Sequence, residues 1–287
     1  MLAANRQMKA HKAKSILIKA FLYAILILVA IVWMYPFIWM ITASFKTQDE
    51  FWGSGLNIFP EHPTFENFIR SWNNANFGQY FLNTVLVTVV SVVVVLLCTS
   101  AAGYALGRYV FPGKKALLGI FTASIAIPLT FTIIPVYELL SSLNLTNSLL
   151  GLIIAECGGS HIMFLMLFSS FYSSIPKEME EAAVMDGCGF FQTYVRIMFP
   201  LAKPVITTVV IMQFIWTWNS FLLPLVLTLS KPELRTLAVG MYALQGEHVV
   251  DWTGIAAGAT ISVLPVIIIF IIMQKHFVNG IAGAVKS

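Results

Sequence analysis

Glu156 and His161 stand in an apolar stretch that runs from Leu149 to Phe171. An ionisable side chain placed there is a functional residue by default, because hydrocarbon solvates charge poorly. The pair can exchange hydrogen bonds with the hydroxyls of a polar solute, or with another chain. A plain hydrogen bond between neighbouring helices is an equally open reading. Five residues apart, they lie about 140° from each other around an ideal helix, so they share a face only if the helix loosens. Gly158 and Gly159 lie between them, where broken helices of transporters would give way.

A second group is Gln213, Trp216, Thr217 and Ser220, spaced i, i+3, i+4, i+7. That spacing places an aromatic ring and three polar groups on one helical stripe. An indole beside hydroxyl and amide groups suits a pyranose ring, and Asn219 stands next to the stripe. The same residue types also hold membrane helices together, and both readings stay open.

Hydrolytic chemistry finds no support. A zinc protease of the His-Glu-x-x-His kind and a serine hydrolase of the Gly-x-Ser-x-Gly kind both need motifs that this sequence lacks. Cys98, Cys157 and Cys188 share no metal-ligand spacing and read as small, buried, apolar-like side chains. Proton coupling through Glu156, as in a secondary transporter, remains an alternative.

The third group lies in a polar stretch at about 172–203. Pro176 suits the first turn of a helix, Glu178, Glu180 and Glu181 suit its positive end, and Gly187 suits the left-handed residue that closes it. These predict a short helix over 176–186. Phe190, Phe191, Tyr194, Ile197 and Met198 then form a second helical stripe, which Pro200 and Pro204 end. The pattern fits an interfacial hairpin, or a knob that docks a partner: Ala182 and Ala183 permit close approach, and the acids can meet basic groups.

The elements that carry these groups follow from hydropathy. Of 287 residues 58% are hydrophobic and only 10% charged, with a mean hydropathy of +0.83. That leaves too little polar surface for a water-soluble globule, so lipid is the main solvent. The continuous apolar runs predict an all-α integral membrane protein with six transmembrane helices, at about Ile16–Thr42, Tyr80–Gly103, Ala116–Tyr137, Leu149–Phe171, Val205–Leu229 and Ile255–Met273. The first run is too long for a cleaved signal peptide. With both termini cytoplasmic, thirteen of the seventeen Lys and Arg fall inside and four outside. This distribution accounts for the net charge of +4 without nucleic acid. The domain reading is a basic cytoplasmic tail at 1–15, a six-helix transmembrane domain at 16–275 and a cytoplasmic tail at 276–287. An outside loop at 46–79 is rich enough in aromatic residues to pack as a small cap. Pro128, Pro135, Pro224 and Pro265 fall inside spans and predict kinks.

The segment Glu181-Ala182-Ala183, three residues, Gly187, nine residues, Ile197-Met198-Phe199-Pro200 resembles the coupling loop of ABC importer permeases, with Phe199 where that family usually has Leu. Further stretches resemble the smaller, MalG-type permease of carbohydrate importers: Met34-Tyr35-Pro36-Phe37, Gly103 to Arg108 with Phe111-Pro112-Gly113, Trp218 to Pro224, and the tail from Phe277 to Lys286. The resemblance covers the chain from about Ile16 to its end. It implies a type I ABC importer permease fold in a bacterial cytoplasmic membrane, with Glu181, Ala182, Ala183, Asp186, Gly187, Ile197 and Pro200 coupling the chain to an ATPase. It also implies alternating access driven by ATP, two cytoplasmic ATPase subunits that hold ATP and Mg, a second homologous permease, and an extracytoplasmic sugar-binding protein. The chain has no phosphate loop of its own and is expected to bind no cofactor. Glycerol phosphate, an amino acid or a peptide are the alternative solutes. A phosphate would call for Arg or Lys facing the pathway, and the spans offer only Lys19.

Overall fold

The computed structural model describes residues 2–53, 55, 57–74, 76–158, 161–243 and 250–284. The described residues contain helices and turns and no strand. In chain order the helices are α1 (Leu2–Ala43), α2 (Gln48–Gly53), α3 (Glu66–Asn74), α4 (Phe77–Arg108), α5 (Lys114–Ser124), α6 (Ile133–Ser142), α7 (Leu149–Gly158) and α8 (Ile162–Ser174). They continue with α9 (Glu178–Met185), α10 (Phe190–Thr193), α11 (Phe199–Leu201), α12 (Lys203–Trp218), α13 (Leu222–Leu227), α14 (Leu237–Ala243) and α15 (Trp252–Ala284).

Among the described residues three stretches are long and apolar enough to cross a membrane as single helices: Ser15–Ala43, Phe77–Arg108 and Trp252–Gln274. Two bent pairs pass the same test together. They are α7 with α8, bent by 52°, and Phe190–Leu201 with α12, bent by 76°. The apolar run expected as a third span is not one helix: α5 ends at Ser124, Pro128 follows, and a 3-10 turn at Leu129–Thr132 leads into α6. The fifth expected span is likewise interrupted between Trp218 and Leu222. At the N-terminus α1 begins at Leu2 and not near Ile16, and at the C-terminus α15 continues to Ala284, so the helices extend into both expected tails.

The chain divides into two compact units. The first comprises Met1–Ser71 with Gln245–Thr260. In it α1 is exposed at every residue from Ser15 to Trp39, an apolar surface of the kind lipid solvates. Residues that form and flank the 46–79 loop are held together by side chains. Buried Asn67 donates Nδ2 to the carbonyls of Ser44 and Lys46 at 2.8 and 2.7 Å. Its Oδ1 accepts from Arg70 and Thr253, each at 3.0 Å. Arg70 grips Asp251 with two bonds of 2.8 Å, and Phe45 packs against Phe65 and Phe68.

The second unit comprises Trp72–Leu244 with Ile261–Ser287. Its organising element is α4, whose pattern is inside-out relative to a soluble helix. Asn83, Thr84, Thr88, Ser91, Thr99, Ser100 and Gly103 are buried, whereas Leu82, Leu86, Val89, Val93 and Leu97 are exposed. Between helices in lipid there is no hydrophobic gain to be made, so close packing of small residues and hydrogen bonds must hold them. Gly103 and Gly107 let α8 approach so closely that a Cβ on either would fall 2.4 Å from Phe168 Cβ or 2.7 Å from the Ser169 carbonyl. Around this contact Tyr104, Phe164, Phe168, Tyr172 and Met198 form one buried cluster. Cys98 departs from its expected burial: it lies on the exposed face of α4.

Candidate functional site

The loop after α8 folds as its residues dictate. With Glu178, Glu180 and Glu181 in its first turn, α9 meets the helix dipole favourably. It closes on Gly187 at φ 82°. The Gly187 N–H donates to Val184 at 3.0 Å and the Cys188 N–H to Ala183 at 2.9 Å. This double bond pattern satisfies carbonyls left open at a helix end. The second stripe is a composite of α10, a π-turn at Tyr194–Met198, and α11.

The two alanines of the loop differ. Ala183 is buried against its own chain, while Ala182 faces out, as do Glu181, Asp186, Gly187 and Pro200. Ile197 is half-buried and packs against the cluster around Tyr104, Phe168 and Met198. Met185, Val184 and Phe191 are 87%, 64% and 71% exposed. The loop therefore shows solvent a raised surface that is apolar and acidic by turns.

Sequence reasoning did not find the residues that fix this loop to the spans. At about 48 Å, α4 is longer than the ~30 Å hydrocarbon core, and Tyr104 and Arg108 at its end reach α9. Arg108 Nε donates to Glu180 Oε2 at 2.8 Å, and Tyr104 donates to Glu180 Oε1 at 2.8 Å. The Arg108 guanidinium also donates to the Ile175 carbonyl at 2.6 Å. Ser100 links the hydroxyls of Tyr172 and Tyr194 at 2.9 and 3.0 Å. The signal was present as four-residue spacing: Ser100, Tyr104 and Arg108 share one face of α4.

The second cluster forms where helices break. Gly158 ends α7 and His161 precedes α8; Gly159 lies outside the described residues. His161 turns back, and its Nε2 lies 2.7 Å from the carbonyl oxygen of Glu156. Since a carbonyl only accepts, Nε2 carries the proton. The Glu156 carboxyl lies against the hydroxyls of Ser220 and Thr217. Gln213 donates Nε2 to Thr217 at 3.0 Å, and both are buried. Trp216 stacks on Phe164 at 5.2 Å, and Phe164 stacks on His161 at 5.8 Å. Phe164 was not anticipated, although its spacing of three from His161 gave the signal. Asn219 stands apart, exposed, with Nδ2 turned to the Ile215 carbonyl at 2.8 Å.

Irregular backbone at membrane depth persists only where it is buried in protein or lines a watery cavity. Here the end of α7 at Gly158 and the break at 219–221 bring Glu156, Thr217 and Ser220 together. Glu156 Oε1, His161 Nδ1 and Gln213 Oε1 are buried there without a hydrogen-bond partner. Among the described residues no group of His, Cys, Asp and Glu is arranged to hold a metal.

Long apolar helices, broken spans around a polar cluster, and a solvent-facing helical loop tied to those spans define a multi-pass membrane permease subunit. Residues 99–283 match the family of binding-protein-dependent transport system inner membrane components, and the chain belongs to that family of the cytoplasmic membrane. The matched stretch holds both the loop and the broken spans. A diacetylchitobiose uptake permease of Streptomyces coelicolor is 31% identical over 92% of this chain and 86% of its own length. A melibiose/raffinose/stachyose import permease of Bacillus subtilis is 31% identical over 98% of this chain and 100% of its own. A crystal structure of a bacterial ABC transporter for the acidic polysaccharide alginate holds a chain with a TM-score of 0.78 and 25% identity, over 91% of this chain and 96% of that one.

Proposed function

We propose that this chain is a permease subunit of an ATP-driven importer for a sugar or oligosaccharide and forms half of the pathway through the membrane. The observation that carries the reading is the loop. Its spacing from Glu181 to Pro200 is the family's coupling pattern, and its exposed Ala182, Val184 and Met185 offer a surface for another protein. Relatives whose names specify saccharide uptake support the sugar.

In this reading the chain crosses the membrane six times with both termini in the cytoplasm, the three broken runs at 114–142, 149–174 and 203–227 each counting as one crossing. Two copies of a cytoplasmic ATPase hold ATP and Mg, and this chain is not a catalyst. When the ATPases close, they push on Glu181, Ala182 and Asp186. The Arg108–Glu180 pair passes that displacement to α4, and the buried contact of α4 with α8 passes it to the break at Glu156. The pathway then alternates between its two openings. A second, homologous permease supplies the other half, and an extracytoplasmic binding protein delivers the sugar.

Mild-detergent purification of the chain from its host tests this. An ATPase and a second permease are expected to copurify, and both are expected to be lost from a Gly187→Val variant. A chain that purifies alone and still transports would overturn the assignment.

A further inference from the structure

The cluster at the two breaks is unbalanced in a way that selects its ligand. Glu156 Oε1 and Gln213 Oε1 are acceptors, and His161 Nδ1 is one too, because Nε2 carries the proton in the neutral ring. None has a partner. Such groups are found bonded to protein or to an ordered molecule, so this place calls for something that brings several O–H donors. In the two broken runs that carry the cluster, 149–174 and 203–227, the sequence has one Lys or Arg, Lys203, which begins α12 at its far end from Thr217. Trp216, 41% exposed and backed by Phe164, adds a ring surface for the apolar face of a sugar.

The fold itself does not decide the charge of the cargo, since a chain of like fold serves an acidic polysaccharide. The side chains decide it. We propose that Glu156 is the charge filter of the pathway: it accepts hydroxyls of a neutral saccharide and bars saccharides that carry a carboxylate or sulfonate. A second anion beside Glu156 must either repel it or take up a proton with one of the two. A neutral hydroxyl meets no such cost. Ser220 and Thr217 hold the carboxyl in place, Gln213 braces Thr217, and Trp216 orients the ring. This assignment rests on the sugar-importer reading above.

The test uses the assembled importer in nanodiscs, without its binding protein, so that the binding protein cannot do the selecting. Binding of melibiose, raffinose, chitobiose and digalacturonate is followed by tryptophan fluorescence, with Trp216→Phe as the control for signal from this site. At least one neutral saccharide is expected to bind, and digalacturonate is not. Glu156→Gln keeps the size but exchanges one acceptor oxygen for a donor; it is expected to bind digalacturonate about tenfold more tightly and neutral sugars more weakly, so that the preference shifts towards the anion. Copurification with the ATPase confirms that the variant folds. Wild-type binding of digalacturonate as tight as that of the neutral sugars, or an unchanged preference in Glu156→Gln, would overturn the filter and leave the importer reading standing. Failure of every saccharide to bind an assembled, ATP-hydrolysing complex would remove the sugar reading, and the filter with it.

Discussion

Arg108 and Glu180 form an ion pair across 2.7 Å between the end of α4 and the loop helix α9, with the Arg108 side chain only 4% exposed. This pair makes the loop and the span one mechanical piece. Removing one partner of a buried pair strands the other, at a cost of about 3–5 kcal/mol. Arg108→Ala is therefore expected to abolish ATP-driven uptake and to lower thermal stability in detergent. Arg108→Lys restores the charge but cannot bond Glu180 and the Ile175 carbonyl together through a planar fork, so it should recover stability better than uptake. Uptake measured beside ATPase activity distinguishes loss of coupling from loss of assembly.

Gly187 closes α9 at φ 82°, and a Cβ added there would meet no atom within 4 Å. The cost of a substitution is thus in the backbone alone, about 1–2 kcal/mol for an L-residue held in the left-handed region. Asn tolerates that region better than β-branched residues do. Copurified ATPase is expected to fall in the order glycine, Gly187→Asn, Gly187→Ala, Gly187→Val. Equal recovery from all four would mean that the loop's end does not shape the docking surface.

Much of this arrangement was legible in the sequence, and the exceptions have physical causes. Hydropathy located α1, α4 and α15 because each is a continuous apolar helix. It also ran through Pro128 and through Asn219-Ser220-Phe221, because hydropathy counts side chains and does not register where backbone bonding stops. Glu156 and His161 were set apart by ideal helix geometry, whereas the break between them folds the imidazole back onto the Glu156 carbonyl. The loop pattern drew notice to Glu181, which is exposed, while its neighbour Glu180 makes the contact with Arg108. Spacing identifies a helix face, but only tertiary packing shows which acid on that face has a cation opposite it.

Asp251 lies outside the spans, beside Arg70 and Thr253. Burial raises its carboxyl, but hydrogen bonds from Arg70, the Gly254 N–H and Thr253 outweigh that and bring it below the usual carboxylate value. A lowered pKa in the folded state means that the stabilisation is present above about pH 3.9, the unfolded value, and is lost as pH falls through the folded one. Wild type is expected to melt higher than Asp251→Asn at pH 7, and the gap is expected to close below about pH 4. Thermal unfolding of the two proteins across that range measures it. A gap that persists unchanged at pH 3 would assign the stabilisation to packing.

The contact of α4 with α8 makes the last prediction, and it separates packing from helix propensity. At Gly103 a Cβ would sit 2.4 Å from Phe168 Cβ, and at Gly107 2.7 Å from the Ser169 carbonyl oxygen, whereas at Gly119 in α5 nothing lies within 4 Å. Alanine is the better helix former at all three positions by about 1 kcal/mol. At Gly119 that gain stands alone, so Gly119→Ala should be neutral or stabilising. At Gly103 neither Phe168 Cβ nor the backbone beside it can swing away, so the helices must part. Overpacking of that kind costs about 1–3 kcal/mol. Gly103→Ala is expected to lower the melting temperature and, because α8 joins the loop of α9 to the break at Glu156, to reduce uptake more than ATP hydrolysis. If Gly103→Ala and Gly119→Ala behave alike, the close approach of α4 and α8 is not what holds the two helices together.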